Sequence, residues 1–119
     1  MNRRLFVCIA LLSTAFTAGA HTTVKSAEPA DGAVLDRSPP SIEIRFEHAV
    51  QMTSVSVVAE HAAERKLTFA AAAGGTVITV ENPALATGRN EIHWKALSKD
   101  GHVISGKLTY TIKPAIAGS

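Results

Sequence analysis

Ser41-Ile42-Glu43-Ile44-Arg45-Phe46 alternates apolar and charged side chains through six positions. A period of two places Ile42, Ile44 and Phe46 on one face and Glu43 and Arg45 on the other, which describes a strand with one buried side. The same period recurs downstream. In Glu91–Leu97 (EIHWKAL), Ile92, Trp94 and Ala96 share a face; in Gly106–Ile112 (GKLTYTI), Leu108, Tyr110 and Ile112 alternate with Lys107, Thr109 and Thr111. Thr53–His61 (TSVSVVAEH), with Val55 and Val57 inward, Leu67–Ala70 (LTFA) and Thr76–Val80 (TVITV) add three more segments, and Thr22–Pro29 (TTVKSAEP) forms a first strand stopped by Pro29. Asp31-Gly32, Pro39-Pro40, Ala73-Gly74-Gly75 and NPALATGRN (82–90) punctuate them as turns and connectors. Ala70–Ala73 is too short to nucleate a helix. About seven short strands predict an all-β, Greek-key β-sandwich of the immunoglobulin-like or cupredoxin-like kind. Trp94 is expected as an anchor between its sheets, and PAIAGS (114–119) as a frayed tail.

Ahead of the first strand stand Arg3 and Arg4, an apolar run (LFVCIALLSTAF) and Ala18-Gly19-Ala20-His21. A positive start, a short apolar centre and an A-x-A site describe a secretory signal peptide, with residues 1–20 removed and 21–119 left as one domain. The apolar run is too short to span a bilayer. Cleavage after Ala20 predicts an exported protein whose first residue is His21. There the free α-amine and imidazole Nδ1 can close a chelate ring on one metal ion, and a metal displaces both protons near neutrality.

Of the 119 residues, 99 remain after cleavage, with ten Lys+Arg (12 less Arg3 and Arg4) against ten Asp+Glu, a net charge of zero with histidines neutral. There is no basic stripe and no RNA-binding aromatic motif, so nucleic acid is not an expected partner. The single cysteine, Cys8, leaves with the signal, which excludes thiolate catalysis, zinc-thiolate sites and disulfides. Met52 is then the one methionine. No H-E-x-x-H, nucleophile elbow or phosphate loop is present.

Five histidines remain: His21, His48, His61, His93 and His102. Ser98-Lys99-Asp100-Gly101-His102 lies between the last two strands, and its two-residue spacing directs a carboxylate and an imidazole the same way on an extended backbone. Gly101 lets the loop bend closely around an ion. Such a pair suits a hard-to-borderline divalent metal. His48, His61 and His93 read as surface histidines, with His48 next to the expected metal.

The opening HTTVKSAEPADGAVLDRSPPSIEIRFEHAV (21–50) and the closing SKDGHVISGKLTYTI (98–112) together resemble the CopC family of periplasmic copper-binding proteins, whose closing signature reads S-x-D-G-H-x-x-S-G-x-x-x-[FY]. Val103 stands where the family often has proline. The resemblance implies a small Greek-key sandwich that binds Cu(II) near one end, without catalysis, for copper resistance, buffering or delivery. Carried over, His21 supplies amine and Nδ1, His102 a second imidazole, and Asp100 a carboxylate as ligand or near-ligand. Glu47 matches a family acidic position beside the metal, although Glu47-His48-Ala49 departs from the commoner Ser-Glu-Pro ending. Tetragonal nitrogen–oxygen coordination suits one Cu(II) ion. Some family members carry a second, methionine-rich Cu(I) site; one methionine cannot form it, and no Cu(I) site is expected. The expected partners are copper itself and an inner-membrane copper transporter, with a monomeric chain. Two other readings are an oxidative copper enzyme with a histidine brace, as in lytic polysaccharide monooxygenases, and a metal-free accessory sandwich. Scarce aromatics and short loops disfavour the first, and the His21 and D-x-H coincidence the second.

Overall fold

The computed structural model describes residues 24–115. The signal peptide, its cleavage site, His21 and most of the C-terminal tail lie outside the described residues. Every regular element among those described is a strand: β1 Val24–Glu28, β2 Val34–Leu35, β3 Ser41–Phe46, β4 Val50–Ala59, β5 Arg65–Lys66, β6 Thr68–Ala71, β7 Val77–Glu81, β8 Gly88–Ser98 and β9 Val103–Ile112. They build one sheet of order β1-β3-β7-β6 and a second of order β2-β9-β8-β4-β5. The sandwich expected from alternation is there, with nine strands rather than about seven.

The two extra strands come from segments without a period-two pattern. Val34–Leu35, inside the expected connector, runs parallel to β9, with Val34 opposite Thr111 and Leu35 opposite Ile112. The expected LTFA strand belongs to a longer segment that changes sheets: β5 pairs with β4, β6 pairs with β7, and the Leu67 N–H still donates to Val55 O at 2.8 Å. Strands that cross between layers form the corners of sandwiches, and their pattern breaks where they cross.

Inward faces agree with the alternation. Ile42, Ile44, Ile78, Val80, Ile92 and Tyr110 are fully buried between the sheets. Trp94, 5% exposed, meets Phe46 edge to face with ring centroids 5.1 Å apart. Gly106 lies opposite Trp94 in the register, and a Cβ there would stand 2.6 Å from the indole ring. Strand β4 begins at Val50, earlier than the expected Thr53, and a register shift between Met52 and Ser54 turns Met52, Val55 and Val57 all inward. A bulge of this kind adds one residue and restores the inward face after it.

Candidate metal centre

The β8–β9 hairpin closes through a three-residue loop. The Ser98 N–H donates to His102 O at 2.8 Å, and the Gly101 N–H donates to Ser98 O at 2.9 Å. Gly101 has φ +89°, the left-handed position that follows a type I turn in such hairpins and that glycine takes without penalty. Nothing lies within 4 Å of where its Cβ would stand, so backbone conformation rather than crowding selects glycine. This turn, not an extended segment, brings Asp100 and His102 together.

Asp100 is engaged at both oxygens. Ser98 Oγ–H and the His102 backbone N–H, the latter at 3.4 Å, donate to Oδ1; His102 Nδ1 lies 2.9 Å from Oδ2. The Ser98 hydroxyl first, and the His102 imidazole second, hold the Asp100 carboxyl down to about 2. A carboxylate only accepts, so Nδ1 donates the shared proton to Oδ2. The pair is open to solvent, with His102 side-chain exposure of 80%.

The neighbouring elements converge on the same end. Val50, the first residue of β4, pairs with Ser98, the last of β8, which sets the β3–β4 turn against the hairpin tip. Val24, the first residue of β1, pairs with Phe46, the last of β3. His48, Ala49, Val50, Ser98, Lys99 and Asp100 line an open hollow of about 330 Å³ between turn and hairpin. Glu47 sits exposed in the turn and is not among the lining residues. Among the described residues no three histidine, cysteine or acidic side chains converge as a metal-binding group. The described part of the site is therefore the Asp100–His102 pair, with His48 among the residues that line the adjoining hollow.

The other histidines lie elsewhere. His93 is in the middle of β8, where its Nε2 meets Glu91 Oε1 at 3.0 Å. That bond, then the one from Arg89, keeps the Glu91 carboxyl below its usual range. His61 follows β4 at the end remote from Val50, with φ +61°. The sequence reading sets His48 beside the expected metal, and the turn that carries it does line the hollow.

The CopC domain model matches residues 24–113. The chain belongs to the CopC family. It is thus a copper-resistance protein of that family and not an enzyme, which removes the histidine-brace oxidase reading. Copper resistance protein C of Escherichia coli is 29% identical over 126 aligned positions, covering 95% of this chain and 98% of the relative. Among solved structures, CopC from Methylosinus trichosporium OB3b superposes with a TM-score of 0.68 at 24% identity, covering 83% of this chain and all of the other. PcoC, a methionine-rich copper resistance protein from Escherichia coli, gives 0.61 at 22% identity, covering 79% of this chain and all of PcoC. At those identities the two structures show a shared CopC fold.

Proposed function

We propose that this CopC-family chain is an exported, periplasmic carrier or buffer for Cu(II), holding one ion at the hairpin end of the sandwich. Residues 1–20 are the leader and 21–119 the working domain. The ligands are the His21 amine and Nδ1, one imidazole nitrogen of His102 and a carboxylate oxygen of Asp100, with Glu47 in the adjoining turn as a further acidic group. The observation that carries this reading is the 2.9 Å pairing of Asp100 Oδ2 with His102 Nδ1. An imidazole nitrogen and a carboxylate oxygen held this close would be available to one ion together, and nitrogen–oxygen donors of this kind suit Cu(II).

Val24 enters β1 beside Phe46 at that same end, and three residues reach at most about 11 Å. His21 is within that reach of Val24. The oxidation state follows from the donors. Met52 is buried in the core with 8% exposure, so its thioether is not a surface ligand for Cu(I). PcoC is described as methionine-rich; this chain has two methionines in all. A copper transporter of the inner membrane is the partner this role calls for.

The test is N-terminal sequencing of the exported protein followed by Cu(II) titration. A leader cut after Ala20 and one equivalent of Cu(II) bound are expected. A variant keeping one residue ahead of His21 should fold normally yet bind far more weakly, because its amine has become an amide. Equal affinity of the two forms would remove His21 from the site.

A further inference from the structure

The two sheets end in four edge strands, β1 and β6 in the first, β2 and β5 in the second. Unpaired edges invite further pairing, and proteins blunt them with charge, shortness, proline or a bulge. All but one of these edges are blunted. Strands β2 and β5 have two residues each, and both residues of β5, Arg65 and Lys66, are cationic. Strand β1 carries Lys25 and Glu28, a register break between Val24 and Ser26, and Pro29 directly after it. Strand β6 has none of these. Residues 67–73 read LTFAAAA, without a charge or a proline, and Thr68, Ala70 and Ala71 are exposed.

The unpaired backbone groups of β6 follow from its bonding to β7. The Ala72 N–H donates to Val77 O at 2.9 Å, and residues 68–71 keep the same register on β7. Antiparallel bonding alternates, so Thr68 and Ala70 also bond to β7, while Phe69 and Ala71 direct N–H and C=O away from it. The Leu67 N–H, in the same outward series, is taken by Val55 O. Beyond Phe69 and Ala71 no strand follows among the described residues.

We propose that β6 is a self-docking edge: two copies of this chain join their first sheets across it, β6 antiparallel to β6, about a two-fold axis at Ala70. The Phe69 N–H then donates to the partner's Ala71 O, the Ala71 N–H donates to the partner's Phe69 O, and the symmetry repeats both. The occupant is a second copy because one segment supplies both halves of the match. This register uses the outward groups, sets alanine against alanine at the axis, and puts no charge opposite a like charge. Lys66, the nearest cation in sequence, is held in the other sheet opposite Ser56. Pairing consumes both β6 edges, so association stops at the dimer. The monomer expected from sequence is then the dissociated state of a weak, reversible dimer, since a four-residue strand buries less than a standard interface. The turn after β6 accepts the Val50 N–H at Gly75 O and the Phe46 N–H at Thr76 O, which ties it to the hairpin end. Antiparallel pairing points the two hairpin ends in opposite directions, so association is independent of copper.

The test is sedimentation equilibrium of the exported protein over a concentration series, with Cu(II) and with a chelator. Average mass should climb from one chain towards two as concentration rises, equally in both conditions. Ala70→Lys and Ala70→Glu each set like charges across the axis and should weaken self-association roughly tenfold or more. Thermal melting should not change, because Ala70 is exposed. Mixed in equal amounts, the two variants should associate at least as tightly as wild type. Ala71→Pro deletes an outward N–H that β7 does not use and should leave only monomer. A wild type that stays at one chain up to its solubility limit overturns the self-docking edge. So does a dimer that Ala70→Lys leaves intact, a variant mixture no more associated than either variant alone, or association seen only with Cu(II).

Discussion

Asp100 commits both oxygens within its own loop, and this determines how the site responds to acid. The hydrogen bonds from Ser98 and His102 lower its carboxyl to about 2. A carboxyl depressed in the folded state favours folding above its unfolded value, near 3.9, and that contribution is lost as pH falls through about 2. Between pH 4 and 7 Asp100 is therefore already ionised and takes no part in proton competition. Acid release of copper should follow the proposed imidazole and amine donors instead, with affinity weakening steeply below about pH 6. Copper retention measured between pH 4 and 8 checks this, and release confined to below pH 4 would assign the transition to carboxylates. His102→Ala should weaken Cu(II) binding by roughly 100-fold or more and shift the visible spectrum, because it removes a proposed nitrogen donor. Asp100→Asn should cost roughly 10- to 100-fold, since water can replace an oxygen donor. His93→Ala, whose imidazole is occupied by Glu91, should change neither. A loss with His93→Ala equal to that with His102→Ala would move the site away from the hairpin tip.

At the scale of elements, Gly106 and Gly101 have different tasks, and substitutions separate them. An alanine at Gly106 would set its Cβ 2.6 Å from Trp94, so Gly106→Ala should destabilise the metal-free fold by about 1–3 kcal/mol in thermal melting. Gly101→Ala meets no neighbour but strains φ +89°, costing about 1–2 kcal/mol and loosening the Asp100–His102 pairing, so its larger effect should be on copper affinity. Strands β3, β8 and β9 were legible in the sequence because each buries one face against the other sheet, and that writes a period of two into the residues. Strands β2 and β5, two residues each, carry no period; neighbours in space create them. The bulge in β4 was hidden for a related reason, since an extra residue breaks alternation without leaving a residue type as a mark. The Asp100–His102 pair was legible because two residues in one tight loop stay close whatever the sheet does. That the turn carrying His48 shares a hollow with that loop depends on the pairing of Val50 with Ser98, a long-range contact that no local pattern encodes.

At the scale of the whole molecule, the first segments of the domain are fastened to its last strand. Asp31 Oδ1 accepts the Thr109 N–H at 2.7 Å, and the buried Tyr110 donates its hydroxyl to Pro29 O at 2.6 Å, pairs 78 and 81 positions apart. Burial, with Asp31 and Glu28 nearby, pushes the Tyr110 phenol well above its ordinary range, so this hydroxyl keeps its proton as a donor throughout the physiological range. Strand β9 also lies between β2 and β8 in its sheet. Time of synthesis follows from that arrangement. Until residues 103–112 have left the ribosome, β2 has no neighbour, β8 lacks one side, and Pro29 and Asp31 lack their partners. Folds that depend on such distant pairings form slowly. Nascent chains arrested before Val103 should therefore remain fully sensitive to protease, while those released beyond Lys113 become resistant. A chain built this way stays threadable until its end is made, which is the state an export channel for unfolded polypeptides requires.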